Sequence, residues 1–254
     1  MFAARFLYNM IAIELIMLRK SFFKRLFASL VPFSLQAFVL LFLLPQIGLS
    51  REYTTLVMIS RLFTTEAMGA MAGVLSGLGS GGALNFVATT PVSVPLMLTG
   101  YTLAFTFKVL VLSLPIIPLA ALFLYGTIQF SFALLFKFLF TVLVIRFFDS
   151  ILGITSAGWT AGTWDFSTFA RFINPLAFIA MFAPKWPMIA AKYPKAGWLF
   201  LLNPLLYLHE MGRSVVLGKS GFIPYSVCLG VLLGLIGLLI WIASTRLKSR
   251  FDLV

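Results

Sequence analysis

Charged residues are scarce in this chain of 254 residues, where Asp, Glu, Lys and Arg make up 10% and hydrophobic residues 61%. A soluble domain needs a polar surface, so a mean hydropathy of +1.05 excludes an ordinary globular protein. Apolar stretches at residues 27–47, 102–124 and 222–244 are each long enough to cross a hydrocarbon core of ~30 Å. The sequence therefore predicts an all-α, polytopic integral membrane protein.

Residues that carry catalytic or metal chemistry are also few. Cys228 is the only cysteine, which excludes an internal disulfide and a cysteine-based zinc cluster. His209 is the only histidine, and a Ser-His-Asp site would need it near a serine and an acid, whereas Glu210 is merely its sequence neighbour. The seven Asp and Glu residues are scattered, so no multi-metal site is expected. We expect no enzyme active site, no metal and no cofactor bound by this chain.

Two short motifs resemble nucleotide-binding loops but lack the preceding strand or the residue spacing that those loops require. The glycines from Gly77 to Gly82 fit the GxGxxG pattern, but they follow a predicted membrane helix instead of a strand. Gly218-Lys219-Ser220 resembles the end of a P-loop, but five residues separate Gly212 from Gly218 where that loop requires four. We therefore expect that this chain does not bind ATP itself.

Positive charge is concentrated at the ends of the apolar segments. The chain has 19 Lys and Arg against seven acids, a net charge of +12, which in a soluble protein would suggest nucleic acid. Here Arg19, Lys20, Lys24 and Arg25 precede the first long apolar stretch, and further basic residues follow the last. Basic flanks mark the cytoplasmic side of membrane proteins. The pattern predicts two cytoplasmic termini, hence an even number of spans, and no nucleic-acid partner.

The order of segments predicts an interfacial helix followed by six transmembrane spans. Residues 1–25 carry basic side chains suited to anionic lipid, so they are predicted to lie on the cytoplasmic leaflet. Residues 26–254 form the transmembrane domain, with residues 79–95 as an uncharged cytoplasmic loop. Residues 184–222 contain too many Pro and Gly for one span, and a short outward-facing or re-entrant helical hairpin is predicted there. The six predicted spans cover residues 27–47, 54–78, 96–125, 128–154, 172–182 and 224–244.

Four charged residues inside the spans form two candidate pairs. Burying a charge in a bilayer costs at least ~2.5 kcal/mol, so such residues usually have a partner or a pathway. Arg146 and Asp149 are three residues apart, which predicts a mutual salt bridge on one helix face. Arg61 and Glu66 are five apart and are expected to pair across helices. A structural role is favoured for both pairs, and contact with a substrate is the alternative.

Three local motifs carry a resemblance to a known family. They are Phe27-Ala-Ser-Leu-Val-Pro32 after a basic segment, Thr89-Thr-Pro91-Val-Ser93 after the second span, and Asn203-Pro-Leu-Leu-Tyr-Leu-His-Glu210-Met-Gly-Arg213 before the last span. Together with the segment order, they resemble the membrane subunit of a type-2 ABC transporter. Among such subunits, the chain is most similar to the export permeases for capsular polysaccharide and O-antigen.

The resemblance implies a homodimeric half-transporter in the bacterial cytoplasmic membrane. Two copies of a separate ABC ATPase, which bind ATP and Mg, would drive export of a glycan or a lipid-linked saccharide. Residues implied to couple to the ATPase are Arg19, Lys20, Asn85, Thr89, Thr90 and Pro91. Aromatic residues suited to a substrate path are Phe33, Phe38, Phe42, Trp159 and Trp164. Drugs or lipids are alternative substrates, and a multi-span membrane enzyme or a secondary carrier is an alternative of another class.

Overall fold

The computed structural model describes residues 2–63, 71–72, 92–123, 132–160, 166–182, 184–217 and 222–251. Every regular element in these ranges is helical, and they contain no β-strand. Several predicted site residues lie outside the described residues, namely Glu66, Asn85, Thr89, Thr90, Pro91 and Trp164.

The helices are numbered here in chain order. They are α1 (Phe2–Phe38), α2 (Arg51–Leu62), α3 (Val94–Ser113), α4 (Ile116–Phe123), α5 (Phe132–Thr160), α6 (Phe166–Phe182), α7 (Trp186–Lys192), α8 (Pro194–Leu202), α9 (Pro204–Val216) and α10 (Tyr225–Phe251). A π-helical turn, Val39–Leu43, and a short α-helical piece, Leu44–Gln46, extend α1. Pro45 lies two residues after the π-helical turn and has no N–H to donate to the carbonyl of Leu41, which lies within that turn.

Helix α1 continues without a break through the predicted boundary between the interfacial segment and the first span. Its first turns pack along α3, where Gly100 leaves room for Phe6: a Cβ on Gly100 would lie 3.1 Å from Phe6 Cε1. Two turns further along both helices, the Lys108 ammonium donates to the Glu14 carboxylate at 2.8 Å. The two helices therefore run in the same direction and are joined by an ion pair.

Within the described parts of the chain, four helices are long and apolar enough to span a membrane: Ala3–Gln46, Pro95–Ser113, Leu135–Ala157 and Tyr225–Thr245. A fifth span results if Ala170–Phe182 and Trp186–Lys192, which meet at an angle of 93°, together form one crossing. This set of helices fits a multi-pass membrane protein. Most of the predicted second span, residues 54–78, lies outside the described residues.

Residues 184–217 form three short helices, α7, α8 and α9, where the sequence predicts a pair. Prolines explain the difference, because each of the three helices has a proline in its first two positions. Proline is well tolerated there, where its missing N–H has no intrahelical partner anyway. Pro194 and Pro204 therefore each end one helix and begin the next.

Helix α9 is the centre of the fold. Every residue of α9 except Pro204 and Tyr207 is buried. It packs against α2, α5, α6 and α10, and it also contacts α8, the helix before it in the chain. Several of its buried residues are polar or charged, and they form the candidate site.

Candidate functional site

Asn203 fixes the start of α9. Its side-chain Oδ1 accepts the Leu205 N–H at 3.0 Å, the usual role of an asparagine N-cap. Its Nδ2 donates to the Leu176 carbonyl of α6 at 2.8 Å. One buried side chain therefore caps α9 and ties it to α6. Pro204 follows as the first residue of the helix, with a φ already suited to it.

The side chains of Glu210 and Arg213, one turn apart on α9, form a buried ion pair. Arg213 Nη1 donates to Glu210 Oε1 at 2.8 Å, and the two side chains are 3% and 1% exposed. Glu210 Oε2 accepts the backbone N–H of Phe222 at 3.0 Å, just before α10 begins. Both carboxylate oxygens are thus hydrogen-bonded, which offsets part of the large cost of burying the charge.

The remaining hydrogen bonds of Arg213 connect α9 to two more helices. Its Nε donates to Ser60 Oγ of α2 at 2.7 Å, and Ser60 in turn donates to the Leu56 carbonyl. Its Nη2 donates to the carbonyls of Ala180 and Met181 at 3.1 and 3.3 Å. The guanidinium therefore links α2, α6 and α9 at a single point.

Arg213 also acts as a cap for the C-terminal end of α6. The last four carbonyls of a helix have no intrahelical partner, and the negative end of the helix dipole favours a cation. Arg213 donates to the carbonyls of Ala180 and Met181, and the Tyr53 hydroxyl of α2 donates to the Phe182 carbonyl at 2.8 Å. Residues from two other helices thus donate hydrogen bonds to the last carbonyls of α6.

His209 lies beside this ion pair and is 1% exposed. Burial, together with the smaller effect of the nearby Arg213 charge, lowers its pKa to about 3, although a hydrogen bond to the Ser60 backbone opposes both. Helix α9 is not among the candidate membrane spans. His209 is therefore neutral at physiological pH, and its buried Nδ1 has no hydrogen-bond partner among the described residues. It suits packing better than acid–base chemistry.

A second buried ion pair lies within α5. Arg146 Nη1 donates to Asp149 Oδ2 at 3.2 Å, the contact that their three-residue spacing predicts. Arg146 Nη2 also donates to the carbonyl of Leu62 at 3.3 Å, at the last residue of α2. Next to Leu62, the Nε of Arg61 donates to Gln36 Oε1 of α1. The predicted partner of Arg61, Glu66, is not among the described residues.

Of the five aromatic residues predicted to form a substrate path, the structure describes the side chains of Phe33, Phe38 and Phe42. Phe33 is 3% exposed and belongs to the core, whereas Phe38 and Phe42 are 50% and 49% exposed. Phe38 and Phe42 stack on each other with ring centroids 5.8 Å apart. Only the backbone of Trp159 is described.

Of the predicted coupling residues, the structure describes only Arg19 and Lys20, which are exposed on α1. No group of three His, Cys, Asp or Glu residues that suits a metal occurs among the described residues.

Sequence reasoning missed Ser60, Tyr53 and Gln36 as partners of the charged groups. Ser60 lies 153 residues from Arg213, and no periodicity connects positions so far apart. The Glu14–Lys108 ion pair did have a signal in the sequence. Each residue places a charge within an apolar segment, and the two charges have opposite sign.

Comparison with protein-family models and with curated proteins found no match for this chain.

Proposed function

We propose that this chain is the membrane permease subunit of an ATP-driven exporter of the type-2 ABC class. In this proposal it spans the bacterial cytoplasmic membrane six times, keeps both termini in the cytoplasm and works as a homodimer. Two copies of a separate ATPase subunit bind ATP and Mg. The cargo is a glycan or a lipid-linked saccharide, with drugs or lipids as the alternative.

The observation that supports this proposal most strongly is the position of the motif residues on α9. The motif that resembles export permeases includes Asn203, Glu210 and Arg213, and all three are buried. Asn203 and Arg213 are hydrogen-bonded to other helices, and Glu210 accepts the Phe222 N–H just before α10. Such a motif fixes a segment in place and does not itself contact a cargo. A centrally fixed helix suits a protein whose helices must move as rigid bodies between two arrangements.

The exposed basic residues of α1 provide the second line of support. Arg19 and Lys20 lie on the surface of a helix whose first turns are fixed to α3 by the Glu14–Lys108 ion pair. A force applied to this part of α1 by a partner subunit would therefore pass directly to α3. This is the mechanical connection that an ATPase on the cytoplasmic side would need.

The test is affinity purification of the tagged chain from its native membrane, followed by mass spectrometry of the proteins that accompany it. We expect a soluble ATPase with a complete Walker A motif at one copy per permease chain. A multi-span protein of similar length with the same tag, purified from the same membrane, is the control for nonspecific capture. Recovery of the chain alone would contradict the proposal and favour a secondary carrier or a membrane enzyme.

A further inference from the structure

The two short helices α7 and α8 form an antiparallel hairpin that turns at Tyr193. They pack closely, because a Cβ on Gly197 of α8 would lie 2.8 Å from Ala190 Cβ of α7. Towards the base of the hairpin, the rings of Trp186 and Phe200 have centroids 6.1 Å apart. With 7 and 9 residues, the helices are only ~10 and ~14 Å long. Neither can cross a hydrocarbon core of ~30 Å, but both fit within one leaflet.

The outer surface of the hairpin is apolar. On α8, the exposed fractions of Trp198, Leu199 and Leu202 are 71%, 70% and 77%, and on α7 that of Met188 is 66%. The three residues of α8 recur at helical spacing and therefore share one face. Apart from one lysine each, both helices consist of apolar residues. The hairpin therefore lacks the polar face that a helix in contact with water needs.

The charge of the hairpin is concentrated at its turn. Lys192 is the last residue of α7, Lys195 is the second residue of α8, and Tyr193 lies between the two helices; all three are exposed. The hairpin contains no Asp or Glu, and neither lysine belongs to an ion pair among the described residues. Basic and aromatic residues at one end of an apolar segment are typical of the boundary between acyl chains and headgroups.

We propose that this hairpin inserts into one leaflet of the membrane and binds anionic lipid. Trp198, Leu199 and Leu202 then lie among acyl chains, and Lys192 and Lys195 lie at the headgroups. An anionic headgroup supplies the negative charge that the turn lacks, and each lysine near such a surface strengthens binding. Lipid is favoured over a second copy of the chain, because another hairpin would supply further lysines and no carboxylate. The inference requires neither the ATPase nor a cargo, so it goes beyond the function proposed above.

The first test locates the apolar face with a fluorophore. The full-length chain with Leu199→Cys is labelled and placed in phosphatidylcholine nanodiscs. Cys228, the only native cysteine, is buried, so the wild-type chain measures background labelling. We expect doxyl groups on the acyl chains to quench the label and aqueous iodide to have little effect.

Two outcomes of this measurement would overturn the proposal. Quenching by iodide alone would place the hairpin in water, and protection from both quenchers would mean that protein covers this face. Leu202→Cys provides a second label position on the same face if the first variant does not fold.

The second test measures the preference for anionic lipid at the hairpin itself. Quenching of the label at residue 199 is compared between doxyl-labelled phosphatidylglycerol and doxyl-labelled phosphatidylcholine at the same fraction of the bilayer. We expect phosphatidylglycerol to be preferred, and Lys192→Gln/Lys195→Gln to lower this preference about fivefold or more.

The matched control is Lys20→Gln/Lys24→Gln, which removes two exposed lysines of α1 and should keep the preference at residue 199. Equal quenching by the two lipids in the chain with both lysines of the hairpin would overturn the binding of anionic lipid. The same loss in both double variants would overturn the role of Lys192 and Lys195. None of these results depends on the ATPase, so this proposal and the exporter assignment can fail separately.

Discussion

Gly212 of α9 lies against the ring of Phe63 so closely that a Cβ at this position would fall 2.2 Å from Phe63 Cδ2. Phe63 is 1% exposed and also contacts the ring of Phe138, so it has little room to move away. Helix α9 can therefore approach the end of α2 only because residue 212 has no side chain. The hydrogen bond from Arg213 of α9 to Ser60 of α2 depends on this close approach.

We expect Gly212→Ala to destabilise the protein by about 1–3 kcal/mol, since it overpacks a filled interior. Thermal unfolding in detergent measures the effect. Gly230→Ala is the matched control, because nothing lies within 4 Å of a Cβ at residue 230 and alanine favours helix. Adding Phe63→Leu should restore part of the loss. If both glycine variants unfold at the wild-type temperature, the close contact does not limit the packing of α9.

Arg213→Gln should lower the unfolding free energy by about 3–5 kcal/mol, because it leaves Glu210 buried without its cation. The double variant Arg213→Gln/Glu210→Gln should lose less than the sum of the two single changes. Glu52→Gln provides the surface control, since it breaks an ion pair with Lys185 in which Glu52 is 72% exposed, and should change stability by less than ~1 kcal/mol. Additive losses at residues 210 and 213 would show that the pair is not energetically coupled.

The Arg146–Asp149 pair should behave in the same way inside α5. Asp149→Ala is expected to destabilise the protein, because Arg146 then remains buried without its carboxylate. Neutralising Arg146 in the same chain should recover part of the stability. A double-mutant cycle on thermal unfolding measures the coupling energy, and a value near zero would contradict a structural role for this pair.

Stability should fall in acid because of His209. Its pKa is about 3 in the folded protein and about 6.5 when unfolded, so below pH 6.5 the unfolded chain binds a proton that the folded chain does not. Between pH 7.5 and pH 5 this group alone should lower the unfolding free energy by about 2 kcal/mol.

The measurement for His209 compares unfolding of wild type and His209→Gln at both pH values. Glutamine does not titrate. Between pH 7.5 and pH 5 the variant should therefore lose about 2 kcal/mol less unfolding free energy than wild type. Parallel pH profiles for the two proteins would show that His209 takes up its proton in the folded state.

Replacing Asn85, Thr89 and Pro91 together should lower ATPase activity that is coupled to transport, while the protein still inserts in the membrane. The prediction follows from the proposed role of residues 79–95 as the contact with the ATPase. Membrane insertion is checked by fractionation, and hydrolysis is measured in reconstituted complexes with and without cargo. Wild-type coupling in the triple variant would remove this loop from the mechanism.

The parts of the fold that follow from short-range patterns could be predicted from the sequence. The Arg146–Asp149 contact follows from helical spacing alone, and the long apolar helices follow from their composition. The division of residues 184–217 into three helices could also be predicted, because Pro194 and Pro204 begin new helices. Taken only as interruptions of a span, the same prolines predict a pair of helices instead of three.

Contacts between distant segments could not be predicted in this way. Arg213 was noted only as part of a motif, and its bonds to Ser60 and to the end of α6 depend on how four helices pack around α9. A cavity lined by residues of α1, α2, α3, α4 and α5, Arg61 and Arg146 among them, likewise arises from packing of distant segments. Local spacing contains no information about such arrangements.

The cap on α6 has a consequence for how the protein is made. Arg213 follows the Ala180 carbonyl by 33 residues, so the ribosome completes α6 before it adds the residue that caps it. During synthesis, the end of α6 therefore has to find temporary partners in water, in lipid headgroups or in the insertion machinery. Only when α9 has been made and folded against α2 and α6 do the Ala180 and Met181 carbonyls acquire their bonds to Arg213. Premature release of the chain before residue 213 would leave a product in which the Ala180 and Met181 carbonyls lack this cap.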